Sequence, residues 1–131
     1  MPRLSLILII FILPSCGDQQ KQLSDKSETI EVTYVNWACD CADFIETKFY
    51  KENLNYEAKE EDCIFIEPAQ LNNKVPDSFF SNNHFEKMLR LTGHFYTDKG
   101  VPENYDLKTP EKPREAKIFR YDRLEIVNKE K

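Results

Sequence analysis

The sequence predicts a small, mostly β domain of the α+β class: a curved sheet or small barrel with one or two short helices. Three observations carry that expectation. IEVTYVNW (residues 30–37) and AKIFRYDRLEIV (116–127) are rich in β-branched and aromatic residues, which suit a pleated, half-buried surface. CIFIE (63–67) is a short apolar run closed by Pro68, consistent with a buried strand. KMLRLTGHFYT (87–97) places Leu89, Leu91, Gly93 and Phe95 on one face, and its central glycine permits a bulge or sharp coil. Several short strands with little helix point to a small closed or strongly curved sheet.

The elements follow in chain order. In residues 30–37, Ile30, Val32 and Tyr34 share one face at period two. Residues 42–51 fit two patterns, because Ile45 and Phe49 form an i,i+4 helix pair while Ile45, Thr47 and Phe49 also alternate. Asn83 and Glu86 imitate a capping box, and Phe85, Met88 and Leu89 are spaced for a helix face. A helical turn near 84–87 passing into a strand is the expectation there. Residues 98–115 hold Gly100, Pro102, Pro110 and Pro113 among many charges, which predicts a long exposed loop. Loops of that length in small domains are usually functional or disordered. In the last strand Phe119 and Tyr121 take odd positions, whereas Leu124 and Ile126 take even ones. A one-residue phase slip of this kind predicts a β-bulge at Asp122-Arg123.

The TGHFY stretch (92–96), followed by a final aromatic-rich strand, resembles an OB-type small barrel. The resemblance covers about half of the body and brings no functional residues with it. OB barrels often bind oligonucleotides. The acidic balance of this chain argues against that use.

The N-terminus addresses location. Arg3 forms a short positive region, Leu4–Leu13 is an apolar run broken by Ser5, and Leu13-Pro14-Ser15-Cys16 follows. The run is too short for a membrane-spanning helix, which needs about 20 apolar residues, and reads as a secretory h-region with a processing site. A plain signal-peptidase site wants small residues at both recognition positions; Ser15 suits one, but Leu13 is too large for the other. The tetrapeptide resembles the lipobox of bacterial lipoproteins. That resemblance implies cleavage before Cys16, a diacylglycerol thioether on its sulfur, and acylation (palmitate or a similar chain) of the new amino terminus. Two or more chains anchor a protein stably where one does so marginally. Gly17 rather than Asp follows the cysteine, which by the same resemblance favours the outer membrane over the inner.

Residues 1–15 are thus expected to be signal peptide and 16–29 a flexible tether, since GDQQKQLSDKSET holds a single large apolar side chain, Leu23. One globular domain is expected over 30–127, with a frayed tail at 128–131. Of the 131 residues, 18 are basic and 23 acidic; loss of Arg3 with the signal would bring the net charge from −5 to −6. Nucleic-acid binders cluster Lys and Arg, so no nucleic-acid partner is expected. The partners expected are the membrane, through the lipid, and an envelope protein. Three glycines, at 17, 93 and 100, leave no glycine-dependent phosphate loop.

Any site chemistry is expected in Trp37-Ala38-Cys39-Asp40-Cys41 and Cys63. An exported domain meets oxidising conditions, so a disulfide is the default. A C-x-C pair closes a strained ring, so the expected bridge joins Cys63 to Cys41, or else to Cys39. Closing that loop would contribute about 3 kcal/mol in the chain-entropy model. The alternative is a thiolate metal site of Cys39, Cys41 and Cys63 with His94, or His84, as fourth ligand. That donor set suits Zn or Cu(I). Trp37 is expected to pack beside the cysteines, and is also the candidate for stacking on a ligand. Glu and Asp are too plentiful to nominate an acid/base pair, neither histidine lies in a catalytic motif, and no catalytic residue is assigned.

Two function classes therefore stand. The first is a membrane-anchored envelope lipoprotein with a small non-enzymatic binding or interaction domain and no cofactor. The second is a metal- or thiol-handling lipoprotein using the three-cysteine cluster. An inhibitor or immunity-type lipoprotein is compatible with the small acidic body but has no residue of its own to support it.

Overall fold

The computed structural model describes residues 21–130. The signal and Cys16, and with them the lipid-attachment expectation, lie outside the described residues. The body is mostly strand, a curved mixed sheet of five strands that closes into a ring with short helical segments between them. The strands are β1 (Glu28–Tyr34), β2 (Phe44–Glu46), β3 (Ile64–Pro68), β4 (Lys87–Phe95) and β5 (Lys117–Asn128). Their order around the ring is β1-β2-β3-β5-β4, and β1 pairs with β4 to close it. The β3–β5 pair is parallel and the others are antiparallel. Helix α1 (Lys48–Glu52) follows β2 directly, so the two patterns in residues 42–51 are both used, one after the other.

Strand alternation sorts the apolar residues onto two faces. Ile30 and Val32 of β1, Phe44 of β2, Ile64 of β3, Leu89 and Leu91 of β4, and Phe119 and Tyr121 of β5 form the inner core with Phe79. Their neighbours in the chain, Ile45, Phe65 and Ile118, point the other way and build a second cluster with Ala42 and Cys63. Val35, Trp37, Tyr56, Val101 and Tyr105 from the loops, with Phe49 of α1, cover that second cluster.

The phase slip in β5 is present. Thr92 aligns with Arg123 while Gly93 aligns with Tyr121, so Asp122 is the extra residue and the register shifts there. Leu124 consequently still packs on the inner core despite its even number. Gly93 lies opposite the shift. A Cβ at this position would collide with the Arg120 carbonyl oxygen and come within 2.7 Å of the Tyr121 Cα. The residue is glycine because of that close approach, not because of its dihedral angles, since no glycine among the described residues has positive φ.

Four expectations need correction. Residues 21–29 are engaged, not loose: Leu23 bridges Tyr96, Ser24 N–H donates to the Phe95 carbonyl at 2.8 Å, and β1 begins at Glu28. Leu23, the one large apolar side chain there, is placed by backbone pairing to the end of β4. Residues 128–129 of the tail are tied as well, because Asn128 ends β5 and the Lys129 N–H donates to the Glu86 carbonyl at 2.9 Å. The helical segment before β4 comes earlier than 84–87, as a π-type turn over Phe79–Asn83 that buries Phe79 in the inner core. The 98–115 loop is not wholly exposed. Gly100 bridges Ala116 at its base, and Val101 and Tyr105 pack on the second cluster.

Candidate functional site

The β1–β2 loop carries Trp37, Cys39, Asp40 and Cys41 at one end of the ring. Cys39 and Cys41 form a disulfide across Asp40, with Cα atoms 5.4 Å apart, and Cys63 is a free buried thiol. The expected bridge from Cys63 to Cys41 or Cys39 is therefore corrected. The physical reason is a bend: residues 38–41 are not extended, so two cysteines that a strand would hold about 7 Å apart on one face come to 5.4 Å between Cα atoms. Cys63 is held elsewhere. Its thiol donates to the Lys59 carbonyl at 3.3 Å, and the Trp37 indole N–H donates to its sulfur at 3.4 Å. Trp37 is half-buried against the second cluster, with its polar edge on Cys63. Burial pushes the Cys63 thiol up from its ordinary value, and the Trp37 hydrogen bond opposes this only in part.

Asp40 fixes the bend. Its side chain is 95% buried, with 5% exposure, and its carboxylate accepts four hydrogen bonds from the β4–β5 loop. The donors are the Tyr105 hydroxyl (3.1 Å), the Lys108 N–H (2.7 Å), the Thr109 N–H (2.8 Å) and the Thr109 hydroxyl. The Thr109 hydroxyl first, then the backbone N–H groups, hold the carboxyl down at about 2. The Tyr105 hydroxyl is pushed up, by its own desolvation and then by the Asp40 charge. Asp43, on the same loop, pairs with Lys108 at 3.1 Å. Desolvation raises its carboxyl more than Lys108 lowers it.

The metal set proposed from sequence does not assemble. His94 lies on β4, where its Nδ1 meets the Ser24 carbonyl at 2.8 Å, and the Cys63 sulfur is engaged by Trp37 and Lys59. His84 lies in the turn before β4; its Nδ1 is buried without a hydrogen-bond partner, and its ring packs on Phe85 and Tyr34. Among the described residues, the ligating atoms that do converge are those of Cys39, Cys41 and Glu60, within 4.8 Å of one another. Glu60 sits in a single 3-10 turn, Glu60–Asp62, just before Cys63.

Two grooves flank this loop. One, of about 480 Å³, is lined by Cys41, Cys63, Glu60, Lys99, Arg114 and Lys117 among others. The other, of about 610 Å³, runs over Ile66, Arg120 and Tyr121 between Leu71–Phe80 on one side and Pro102–Asp106 on the other. Tyr96 reaches into it and donates its hydroxyl to Glu67, whose other oxygen accepts the Glu103 N–H at 3.3 Å. Burial and the Glu67 hydrogen bond push the Tyr96 hydroxyl up to about 12. The groove carries both signs of charge: Lys21, Lys74 and Arg120 line it together with Asp43, Asp77 and Asp106.

The sequence reading did not single out Asp40, Glu60, Tyr105 or Thr109. For Asp40 the available signal was its position between two cysteines; its burial comes from the distant residues Tyr105, Lys108 and Thr109. For Tyr105 and Thr109 only the unusual loop length drew attention to the segment. Set against known proteins, the chain matches no family model, no curated protein and no solved structure.

Proposed function

We propose that the chain is an envelope lipoprotein whose anchored domain binds a segment of a partner protein in the larger groove. The observation that carries the anchor is Leu13-Pro14-Ser15-Cys16 after the apolar run. Cleavage before Cys16 leaves the sulfur and the new amino terminus as acceptors for lipid. The engaged residues 22–24 then hold the body close to the surface, because only a few residues separate Cys16 from this first backbone pairing. The groove supports the binding part. Its lining combines aromatic rings (Phe44, Phe80, Tyr96, Tyr105 and Tyr121) with charged side chains, and includes exposed Leu71.

Metabolic labelling with a fatty-acid analogue tests the anchor: the wild type is tagged and sediments with membranes, and Cys16→Ala is neither. Equal tagging of the two refutes it. A photo-crosslinking residue at Leu71 tests the groove against the same residue at Leu54, which is exposed and outside it. A discrete adduct at position 71 and none at 54 supports the reading; identical adduct patterns remove it.

A further inference from the structure

We propose that, once the Cys39–Cys41 bridge is reduced, the two thiolates and the Glu60 carboxylate bind one Zn²⁺ ion. This goes beyond the anchored binding domain and rests on different residues. The three ligating atoms already lie within 4.8 Å of one another. Tetrahedral Zn–S bonds of about 2.3 Å place two sulfurs about 3.8 Å apart, a span open to cysteines whose Cα atoms are 5.4 Å apart. Reduction therefore converts the pair into a chelate with little backbone movement.

Glu60 is held in place for this role. Arg114 donates from Nη1 to both of its carboxylate oxygens at 2.6 Å, and the Arg114 N–H donates to the Asp40 carbonyl at 2.9 Å. An outer group that orients a ligating carboxylate is a usual part of metal sites. The charges also close: two thiolates and a carboxylate against Zn²⁺ leave one negative charge, which Arg114 faces. A hard carboxylate oxygen beside two sulfurs suits Zn²⁺ better than Cu(I). Cys41, Glu60 and Arg114 line the smaller groove together with Lys99 and Lys117, so solvent or a small anion has a route to the ion. Three protein ligands with an open position is the arrangement of reactive rather than purely structural zinc.

The chemistry balances with an external dithiol. Two electrons pass to the Cys39–Cys41 bond, which breaks. The dithiol closes to its own disulfide, and its two protons go to the two cysteine sulfurs. Zn²⁺ then forms two Zn–S bonds and releases both protons.

The test uses the full chain carrying Cys16→Ala, so that no fourth thiol competes. Oxidised and dithiothreitol-reduced samples, the latter freed of reductant without air, are titrated with Zn²⁺ against a chromophoric chelator. Thiol counting verifies the redox state and circular dichroism the fold. The oxidised chain should bind none and the reduced chain one equivalent. Cys63→Ser should keep that equivalent, while Cys39→Ser and Glu60→Gln should weaken it about tenfold or more. A reduced chain that loses structure and regains it on adding Zn²⁺ also supports the site. Reduced protein that binds Zn²⁺ no better than oxidised overturns the proposal. So does loss of binding in Cys63→Ser equal to that in Cys39→Ser, or unchanged binding in Glu60→Gln. Cu(I) bound equally by wild type and Glu60→Gln, with Zn²⁺ refused, overturns it too.

Discussion

Gly93→Ala is the sharpest probe of how the ring closes. The added methyl would meet three backbone atoms: the Arg120 carbonyl oxygen, the Tyr121 Cα at 2.7 Å and the Arg120 carbonyl carbon at 2.9 Å. No side chain can rotate away to relieve this, so β4 and β5 must part at the register shift, within the longest strand pairing of the ring. Overpacking of a core typically costs 1–3 kcal/mol. A clash with backbone alone belongs at or above the top of that range, about 3 kcal/mol. Against a stability of about 5–15 kcal/mol this is a large fraction, and at roughly 4 °C per kcal/mol for a domain near this size it lowers Tm by about 12 °C. Gly100→Ala is the control, because its Cβ would lie 3.6 Å from the Ile118 Cδ1, an ordinary contact; the expected change is within about 0.5 kcal/mol. Urea titration and thermal melting of both variants check this in full-length protein. A Gly93→Ala change within about 0.5 kcal/mol of wild type, or equal losses in the two variants, refutes the account of the bulge.

Three further outcomes are expected. Asp40→Asn replaces one acceptor oxygen by an amide that cannot accept from Thr109, so limited proteolysis should cut faster between residues 102 and 114; an unchanged rate there would separate the loop from Asp40. The same carboxyl, held at about 2 against an ordinary 3.8, stabilises the fold fully above its unfolded value, and the contribution is lost as pH falls from 3.8 towards 2. Acid titration of wild type should show that loss, and Asp40→Asn should lack it. Leu91→Ala, fully buried in the inner core, should cost about 2–5 kcal/mol in urea titration; a loss below about 1 kcal/mol would contradict the packing of β4 against β5.

Strand β3 was legible as a short apolar run because Ile64 and Phe65 are buried on opposite faces. Strands β1 and β4 were legible through period-two alternation: Ile30, Val32 and Tyr34 in β1, and Leu89, Leu91 and Phe95 in β4, all pack on the inner core. The bulge was legible for the same reason, since a slip of one residue leaves a visible change of phase between Tyr121 and Leu124. Residues 21–27 were not. Gln22, Leu23 and Ser24 among them pair through backbone groups to the end of β4, and backbone pairing leaves no signature in side-chain composition. The disulfide failed in the sequence reading because ring strain in a C-x-C pair was weighed on an extended chain. The bend that brings Cys39 to Cys41 is imposed by hydrogen bonds from residues 105–109, more than sixty positions away.

That dependence has a physical consequence for how the two grooves relate. Asp40 lies between the two cysteines and accepts hydrogen bonds from Tyr105, which also lines the larger groove and packs edge-on against Phe65 at 5.4 Å. Its backbone carbonyl accepts from Arg114, which lines the smaller groove and grips Glu60. The carboxylate and the carbonyl of one buried residue therefore fasten opposite parts of the β4–β5 loop, one on each groove. A satisfied buried carboxylate is costly to disturb, because each donor it releases is left without a partner in a low-dielectric setting. The geometry of the cysteine pair and the wall of the larger groove are thus set together, by the same side chain, rather than as two independent surfaces of the domain.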